Sequence, residues 1–227
     1  MNATAIAPAL LAGALATLLA TPAQAQQPPI PSKQEIMKRL DEGFPQLIEQ
    51  SPEATVEVEG LFKLTYKQVP TDPKKIAEMM GKQLGTDKVP PGMIDQYMGM
   101  FAAEITQVLN KHLADIGEFE ALTDLKNSSK KIPPGKHRFG ILFEGEKPAA
   151  LVVFDPKPKK GEEEQKDRLK KPVLLRLKTK STKLQNELKI EGKESKKKPK
   201  KDQPKPADLV VTCLRYLAKT KKPIEAK

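Results

Sequence analysis

The chain has 227 residues, of which 38% are hydrophobic and 4% aromatic, and its formal net charge is +11. This length allows one substantial domain or two small ones, each with a real hydrophobic core. The single cysteine, Cys213, excludes an internal disulfide, so the core itself must supply the stability of the fold. The apolar neighbours Val211 and Leu214 favour a packing role for this thiol over a nucleophilic one.

The beginning of the sequence is typical of an exported protein. An apolar run from Ile6 to Ala20 is followed by an Ala-x-Ala cleavage pattern that ends at Ala25. We therefore expect a signal peptide over residues 1–25, a periplasmic or secreted mature protein, and a disordered leader over residues 26–31.

The next part of the chain predicts mainly helices. Ser32 and Glu35 form a capping pattern before apolar residues at helical spacing, which predicts a first helix. Alternating polar and apolar residues from Thr55 to Lys67 predict one half-buried strand, and Asp72-Pro73 predicts the start of a second helix. The longest apolar stripe at helical spacing runs from Ile94 to His112 and predicts the longest helix.

The remaining part predicts strands. After a linker over Lys130–Gly135, His137–Glu144 and Ala149–Asp155 are apolar on both alternating faces, which is typical of a central hairpin. Two antiparallel strands are expected between Val173 and Glu191, and a last strand over Asp208–Ala218. The residues predicted to point inward from the two antiparallel strands are Val173, Leu175, Leu177, Leu188 and Ile190.

Together these elements predict an α+β fold, with an antiparallel sheet of five or six strands and the N-terminal helices packed on one face. We expect a single domain over residues 32–218, helix-rich over 32–127 and strand-rich over 137–218, followed by a basic tail over 219–227. This order of elements resembles that of helix-on-sheet ligand-binding folds such as cystatin-like and lipid-carrier domains. A likeness of architecture does not carry a function.

The charges are distributed unevenly along the chain. From Gln26 to Asn127 there are 11 basic and 16 acidic residues, whereas from Ser128 onward there are 29 basic and 13 acidic residues. The two parts therefore carry net charges of −5 and +16. This asymmetry predicts a basic surface on the strand-rich half, able to attract polyanions or an anionic membrane surface.

Two Lys/Pro-rich segments, Pro156 to Pro172 and Gly192 to Pro206, are the most visible feature of this basic half. One hypothesis is that their lysines gather on one edge of the sheet and bind an anionic polymer, a membrane surface or an envelope protein. The alternative is that the segments are solvated, mobile connections, because Pro, Glu and Lys together are typical of disorder. Nucleic acid is disfavoured as a partner, because aromatic residues do not interleave the basic runs. The lysines of the hypothesis are Lys157, Lys159, Lys160, Lys170, Lys171, Lys196, Lys197, Lys198, Lys200 and Lys201.

Motifs for catalysis and metal binding are not visible in the sequence. Gly-x-Ser-x-Gly and His-Glu-x-x-His do not occur, and neither a cofactor nor a metal is predicted. His112 has Asp115 one turn on and Glu104 two turns back, but a histidine in an apolar stripe is more typical of packing. His137 is expected to be an exposed loop residue. Asn127-Ser128-Ser129 matches the N-glycosylation pattern.

The leading functional hypothesis is a non-catalytic, exported binding or structural protein that contacts an anionic envelope component or partner through its basic half. The second is a carrier of an apolar small molecule or lipid held between the long helix and the sheet. A hydrolase is the third, because catalytic groups need not form local motifs. The residues expected to line the carrier site are Met98, Phe101, Ile105, Phe143 and Phe154.

Overall fold

The computed structural model describes residues 32–81, 94–155, 169, 171–201 and 203–227. The expected signal peptide and disordered leader lie outside these ranges. Three helices lie within them: α1 (Lys33–Gln50), α2 (Pro73–Met79) and α3 (Ile94–His112).

The predicted helix starts are confirmed. The Ser32 side chain accepts a hydrogen bond from the Glu35 backbone N–H at 3.2 Å, which caps α1. The Asp72 carboxylate accepts one from the Lys74 backbone N–H at 2.9 Å, with Pro73 as the first residue of α2.

Twelve strands are present in the described part of the chain, more than the sequence predicts. They are β1 (Glu53–Val58), β2 (Phe62–Lys67), β3 (Gly117–Ala121), β4 (Leu125–Asn127), β5 (Lys130–Ile132), β6 (Gly135–Glu144), β7 (Lys147–Phe154), β8 (Val173–Ser181), β9 (Lys189–Glu194), β10 (Ala207–Cys213), β11 (Tyr216–Thr220) and β12 (Glu225–Ala226).

Nine of these strands form one antiparallel sheet in the order β1-β2-β3-β6-β7-β8-β11-β10-β9, and the other three form a small sheet in the order β12-β4-β5. The large sheet is nearly closed into a barrel, because its edge strands β1 and β9 contact each other. Gly192 of β9 lies directly against Val56 and Val58 of β1, so a side chain at position 192 would collide with them. The Tyr66 hydroxyl accepts a hydrogen bond from the Ile190 backbone N–H at 2.8 Å across the same junction.

The helices and both sheets share one hydrophobic core. Leu40 and Phe44 of α1 are fully buried, and α1 packs against α3. Between the strands, the rings of Phe62 and Phe119 stack with their centroids 5.0 Å apart. The predicted inward residues of β8 and of the segment around β9 are confirmed as buried: Val173, Leu175, Leu177, Leu188 and Ile190.

The end of α3 joins the large sheet at a glycine. The Ile141 backbone N–H donates to the Leu113 carbonyl at 2.7 Å, and the Ile116 N–H donates to the Phe139 carbonyl at 2.9 Å. Between these two bonds, Gly140 comes so close to Ala114 that a Cβ atom would overlap its carbonyl oxygen. The missing side chain therefore allows the helix end to lie against β6.

The predicted α+β class, with five or six strands and helices on one sheet face, is wrong. The structure is mostly β, and no long N-terminal helix packs on a sheet face. The segment Thr55–Lys67 is a hairpin that turns at Gly60 with φ of +69°, and Asp208–Ala218 is a hairpin that turns at Leu214 with φ of 54°. A long alternating segment thus contains two strands where the sequence predicts one.

Residues 219–227, expected to form a basic tail, contain the end of β11 and all of β12. None of the helices within the described ranges has an apolar stretch long enough to span a lipid bilayer.

Candidate anion-binding surface

The outer surface of β8 is built by simple strand alternation. Val173, Leu175 and Leu177 point into the core and are buried, so the residues between them point outward. Their outward neighbours on this strand are all exposed: Leu174, Arg176, Lys178 and Lys180.

The neighbouring strand β11 adds further cations to this surface. The antiparallel register places Lys219 directly opposite Lys178, and the Lys221 backbone N–H donates to the Arg176 carbonyl at 2.8 Å. Like charges directly opposite each other on adjacent strands destabilise a sheet. Lys178 and Lys219 therefore repel each other, and the Asp208 carboxylate that contacts Lys219 offsets part of this repulsion.

Further across the same face, the cations of β9 and Lys219 of β11 have acidic partners. The Glu191 carboxylate lies 2.7 Å from the Lys189 ammonium and 2.8 Å from that of Lys193. The hydrogen bonds from these two lysines lower the pKa of Glu191 to about 2. Lys219 itself contacts the buried Asp208 carboxylate at 2.7 Å. This side of the face is therefore close to neutral.

The cations that remain uncompensated lie on β8 and on the end of β11. Within the described residues they form no ion pair, and they are exposed. We refer to this set as the cationic stripe: Arg176, Lys178, Lys180 and Lys221.

A second group of cations lies on the small sheet. Lys126 of β4 is directly opposite Lys131 of β5, a second cross-strand pair of like charges. The Lys222 ammonium lies 3.2 Å from the Ser128 hydroxyl, which connects the end of the cationic stripe to the turn between β4 and β5. We refer to this second set as the small-sheet lysines: Lys126, Lys130, Lys131 and Lys222.

The structure places part of the predicted lysine set beside this sheet. The Lys197 ammonium contacts the Glu225 carboxylate of β12 at 2.6 Å, and Gln203 donates to the Lys227 carbonyl at 3.0 Å. The segment between β9 and β10 therefore lies along β12. Its lysines are exposed: Lys196, Lys197, Lys198, Lys200 and Lys201.

The other predicted lysines are not brought together with these. Lys171 is exposed just before β8 begins. Lys157, Lys159, Lys160 and Lys170 lie outside the described residues.

The residues predicted to line a site for an apolar ligand are spread over core and strand ends. Ile105 of α3 is buried in the core, and the half-buried Phe143 packs against the same core. Phe154 is half-buried at the end of β7. The side chains of Met98 and Phe101 lie outside the described part. The carrier hypothesis therefore stays a prediction.

His112 holds two helices together. Its imidazole Nε2 lies 2.9 Å from the Asp41 carboxylate of α1, and its ring stacks on Phe44 with centroids 5.5 Å apart. Hydrogen bonds from Lys111 and His112 lower the pKa of Asp41. Asp115, one of the expected partners, binds Arg138 at 2.6 Å instead. This supports packing as the role of His112.

His137 is buried, so the expected exposed position is wrong. Its Nδ1 lies 2.7 Å from an Asp155 carboxylate oxygen and its Nε2 lies 3.0 Å from the Pro133 carbonyl oxygen. Both partners are acceptors, so both contacts form hydrogen bonds when both ring nitrogens carry a proton. The second Asp155 oxygen accepts the Leu169 backbone N–H at 2.7 Å. The ring is occupied by structural contacts.

Two further candidate groups are structural. Burial raises the pKa of Cys213 to about 12, which confirms the packing role of this thiol. Asn127 of the glycosylation pattern is buried, and its amide donates to the Lys222 carbonyl at 2.6 Å. Within the described residues, no group of three or more His, Cys, Asp or Glu side chains could hold a metal ion.

Comparison of this chain with protein-family models, with curated proteins and with solved structures gives no match. What the surface binds has to follow from its own residues. Sequence reasoning missed the cationic stripe because it looked for consecutive lysines. The signal was present in the strand pattern from Val173 to Lys180, where every inward apolar residue from Leu175 onward is followed by an outward basic one.

Proposed function

We propose that the protein is an exported, non-catalytic binding or structural protein that contacts an anionic envelope component through its basic, strand-rich half. The observation that carries this proposal is the cationic stripe on the outer face of the large sheet, in which Lys178 also lies directly opposite Lys219. The apolar run and Ala-x-Ala pattern before Gln26 support export.

The energetic reasoning starts from the cost of this arrangement. A cross-strand pair of like charges costs up to about 1 kcal/mol relative to a neutral pair. A bound anion offsets this repulsion when it contacts the Lys178 ammonium and the other cations of the stripe, which form no ion pair within the described residues. In the small sheet Lys126 lies opposite Lys131 in the same way, and Glu225 of β12 lies opposite Lys126 on its other side. In each pair, one lysine therefore has an acidic neighbour.

The surrounding lysines strengthen the electrostatic attraction to an anionic partner. The exposed lysines beside β12 add to the field of the small-sheet lysines. Clustered charges of one sign raise the local concentration of counter-ions and accelerate association with an anionic partner, and salt weakens both effects. Binding through this half is therefore expected to be salt-sensitive.

The test uses the mature chain, Gln26 to Lys227, on matrices that carry phosphate, sulfate or carboxylate groups, over a range of salt concentrations. Retention is expected at low salt and is expected to fall steeply as the salt concentration rises. The double variant Lys178→Gln, Lys221→Gln is expected to lose retention at lower salt than the unchanged chain.

The matched control is Lys63→Gln, Lys136→Gln, which removes the same charge from a part of the sheet where acidic residues lie next to both lysines. Equal losses in the two double variants, or no retention of the unchanged chain at low salt, would contradict the proposal. A further variant with Lys196, Lys197 and Lys198 changed to Gln tests the segment beside β12. Unchanged retention in that variant would exclude this segment from the binding surface.

A further inference from the structure

We infer that the anionic partner is an extended, phosphate-bearing polymer chain that lies along the cationic stripe and continues onto the small-sheet lysines. This inference rests on the proposed function and specifies the shape and chemistry of its partner. The width, the length, the continuation and the composition of the stripe each contribute to it.

The cationic stripe is about as wide as a single extended polymer chain. On one side of it, the Glu191 and Asp208 carboxylates form ion pairs with three cations, Lys189, Lys193 and Lys219, which leaves a net charge of only +1. On the other side, Ala150 and Val152 of β7 lie next to Arg176 and Leu174 and carry no charge. The uncompensated cations therefore occupy two neighbouring strands, a band roughly 5–10 Å wide. A planar membrane surface would favour charges spread over the whole face.

The length of the stripe suits several charges in a row. Arg176, Lys178 and Lys180 are alternate residues of one strand, so they follow each other at about 6–7 Å and span about 13 Å in total. Lys221 lies beside Arg176 on the next strand. A chain with a negative charge on every unit can contact all of these cations at once, whereas a single small anion can contact two.

The stripe continues onto the second sheet. Lys222 follows Lys221 directly, contacts the Ser128 hydroxyl and accepts a hydrogen bond from Asn127 at its carbonyl. These contacts fix the end of β11 to the turn between β4 and β5, next to the opposed Lys126 and Lys131. Seven lysines and one arginine thus follow one path across two sheets, and a longer chain reaches more of them.

The composition of this path favours phosphate. Lysine ammonium groups are compact point charges, which suit phosphate oxygens approached from many directions. Arginine, whose planar fork binds both carboxylate and phosphate through paired hydrogen bonds, occurs once, as Arg176, so the path consists mainly of point charges. The path contains no aromatic side chain on which a base or a sugar ring could stack.

The experiment measures binding of the mature chain to orthophosphate, to tripolyphosphate and to long-chain inorganic polyphosphate, and separately to phosphatidylglycerol vesicles. Affinity is expected to rise steeply with the length of the phosphate chain, because a longer chain contacts more cations at once. For long chains, the affinity is expected to fall about 3-fold per contact between about 50 and 200 mM salt, which is at least about 100-fold when all four cations of the stripe are contacted.

The variant Lys178→Gln, Lys180→Gln, Lys221→Gln is expected to remove three contacts, so the weakening caused by the same rise in salt should be about 30-fold smaller than for the unchanged chain. The control is Lys38→Gln, Lys63→Gln, Lys136→Gln, which carries the same net charge and is expected to keep the 100-fold salt effect. Far-ultraviolet circular dichroism and thermal unfolding show whether each variant is folded.

The outcomes separate this inference from the proposed function. Binding to vesicles without a dependence on polyphosphate length would overturn the inference and leave the proposed function intact. Equal weakening in the two triple variants would overturn the path along β8 and β11. Binding to neither polyphosphate nor vesicles nor any of the anionic matrices would overturn both.

Discussion

The outer face of the large sheet has two parts with opposite charge patterns. Across β1, β2, β3 and β6, the register places Glu57, Lys63, Glu120 and Lys136 side by side, so that every neighbour has the opposite sign. We refer to this row as the balanced row. On β8 and β11, the same pleated geometry places lysine opposite lysine.

The difference shows that strand geometry does not determine which charges face each other. Both parts have the same antiparallel pairing and outward-facing side chains, so the backbone does not dictate the charge pattern. In the balanced row the pattern favours stability, since opposite charges across strands attract. On the cationic stripe the pattern opposes stability, which is why a partner outside the chain is the physical explanation we favour.

The largest expected effect comes from reversing a charge in the balanced row. Lys63→Glu would place a carboxylate between Glu57 and Glu120, and it would replace two attractions by two repulsions. We expect it to lower the free energy of unfolding by about 1–2 kcal/mol, measured by urea denaturation. Lys63→Gln should lower the free energy of unfolding by about half as much. A loss below the error of the measurement would show that the row contributes nothing.

The same reversal on the cationic stripe should have the opposite sign. Lys178→Glu would place a carboxylate opposite Lys219 and between Arg176 and Lys180. We expect it to raise the free energy of unfolding by about 0.5–1 kcal/mol and to weaken binding to polyphosphate. Unchanged or lower stability in the same urea series would mean that the opposed lysines do not repel each other appreciably.

The smallest expected effect concerns the border between the stripe and the neutral side of its face. The folded pKa of Glu191 is about 2, below its ordinary value of 4.5, so its ion pairs contribute stability above pH 4.5. This contribution is lost as the pH falls from 4.5 towards 2. Glu191→Gln should therefore unfold at a lower temperature than the unchanged chain near neutral pH, and the gap should narrow on acidification. A gap that is constant with pH would contradict this role.

Much of the local structure follows from the sequence, whereas the register does not. Ser32 and Asp72 identify the helix starts because capping chemistry is local. The turn at Leu214 is missed because the residue has no glycine-like signature, although its φ is positive. Strands of three residues, such as β4 and β5, are too short to show a period. That Lys178 meets Lys219 depends on pairing between strands distant in sequence, which no local pattern contains.

The closure of the large sheet has a consequence for how the protein opens. In the described residues no backbone ladder joins β1 to β9, and the Tyr66 hydroxyl supplies the bond to the Ile190 N–H from inside the core. Next to it, two backbone hydrogen bonds join the segment after β2 to the segment before β9, from the Leu188 N–H to the Val69 carbonyl at 2.8 Å and from the Thr71 N–H to the Asn186 carbonyl at 3.0 Å. Rotation of one side chain releases the Ile190 amide to solvent without unzipping any strand pair. The Ile190 amide should therefore exchange its hydrogen faster than the amides that donate to a backbone carbonyl within the strand pairs of the large sheet.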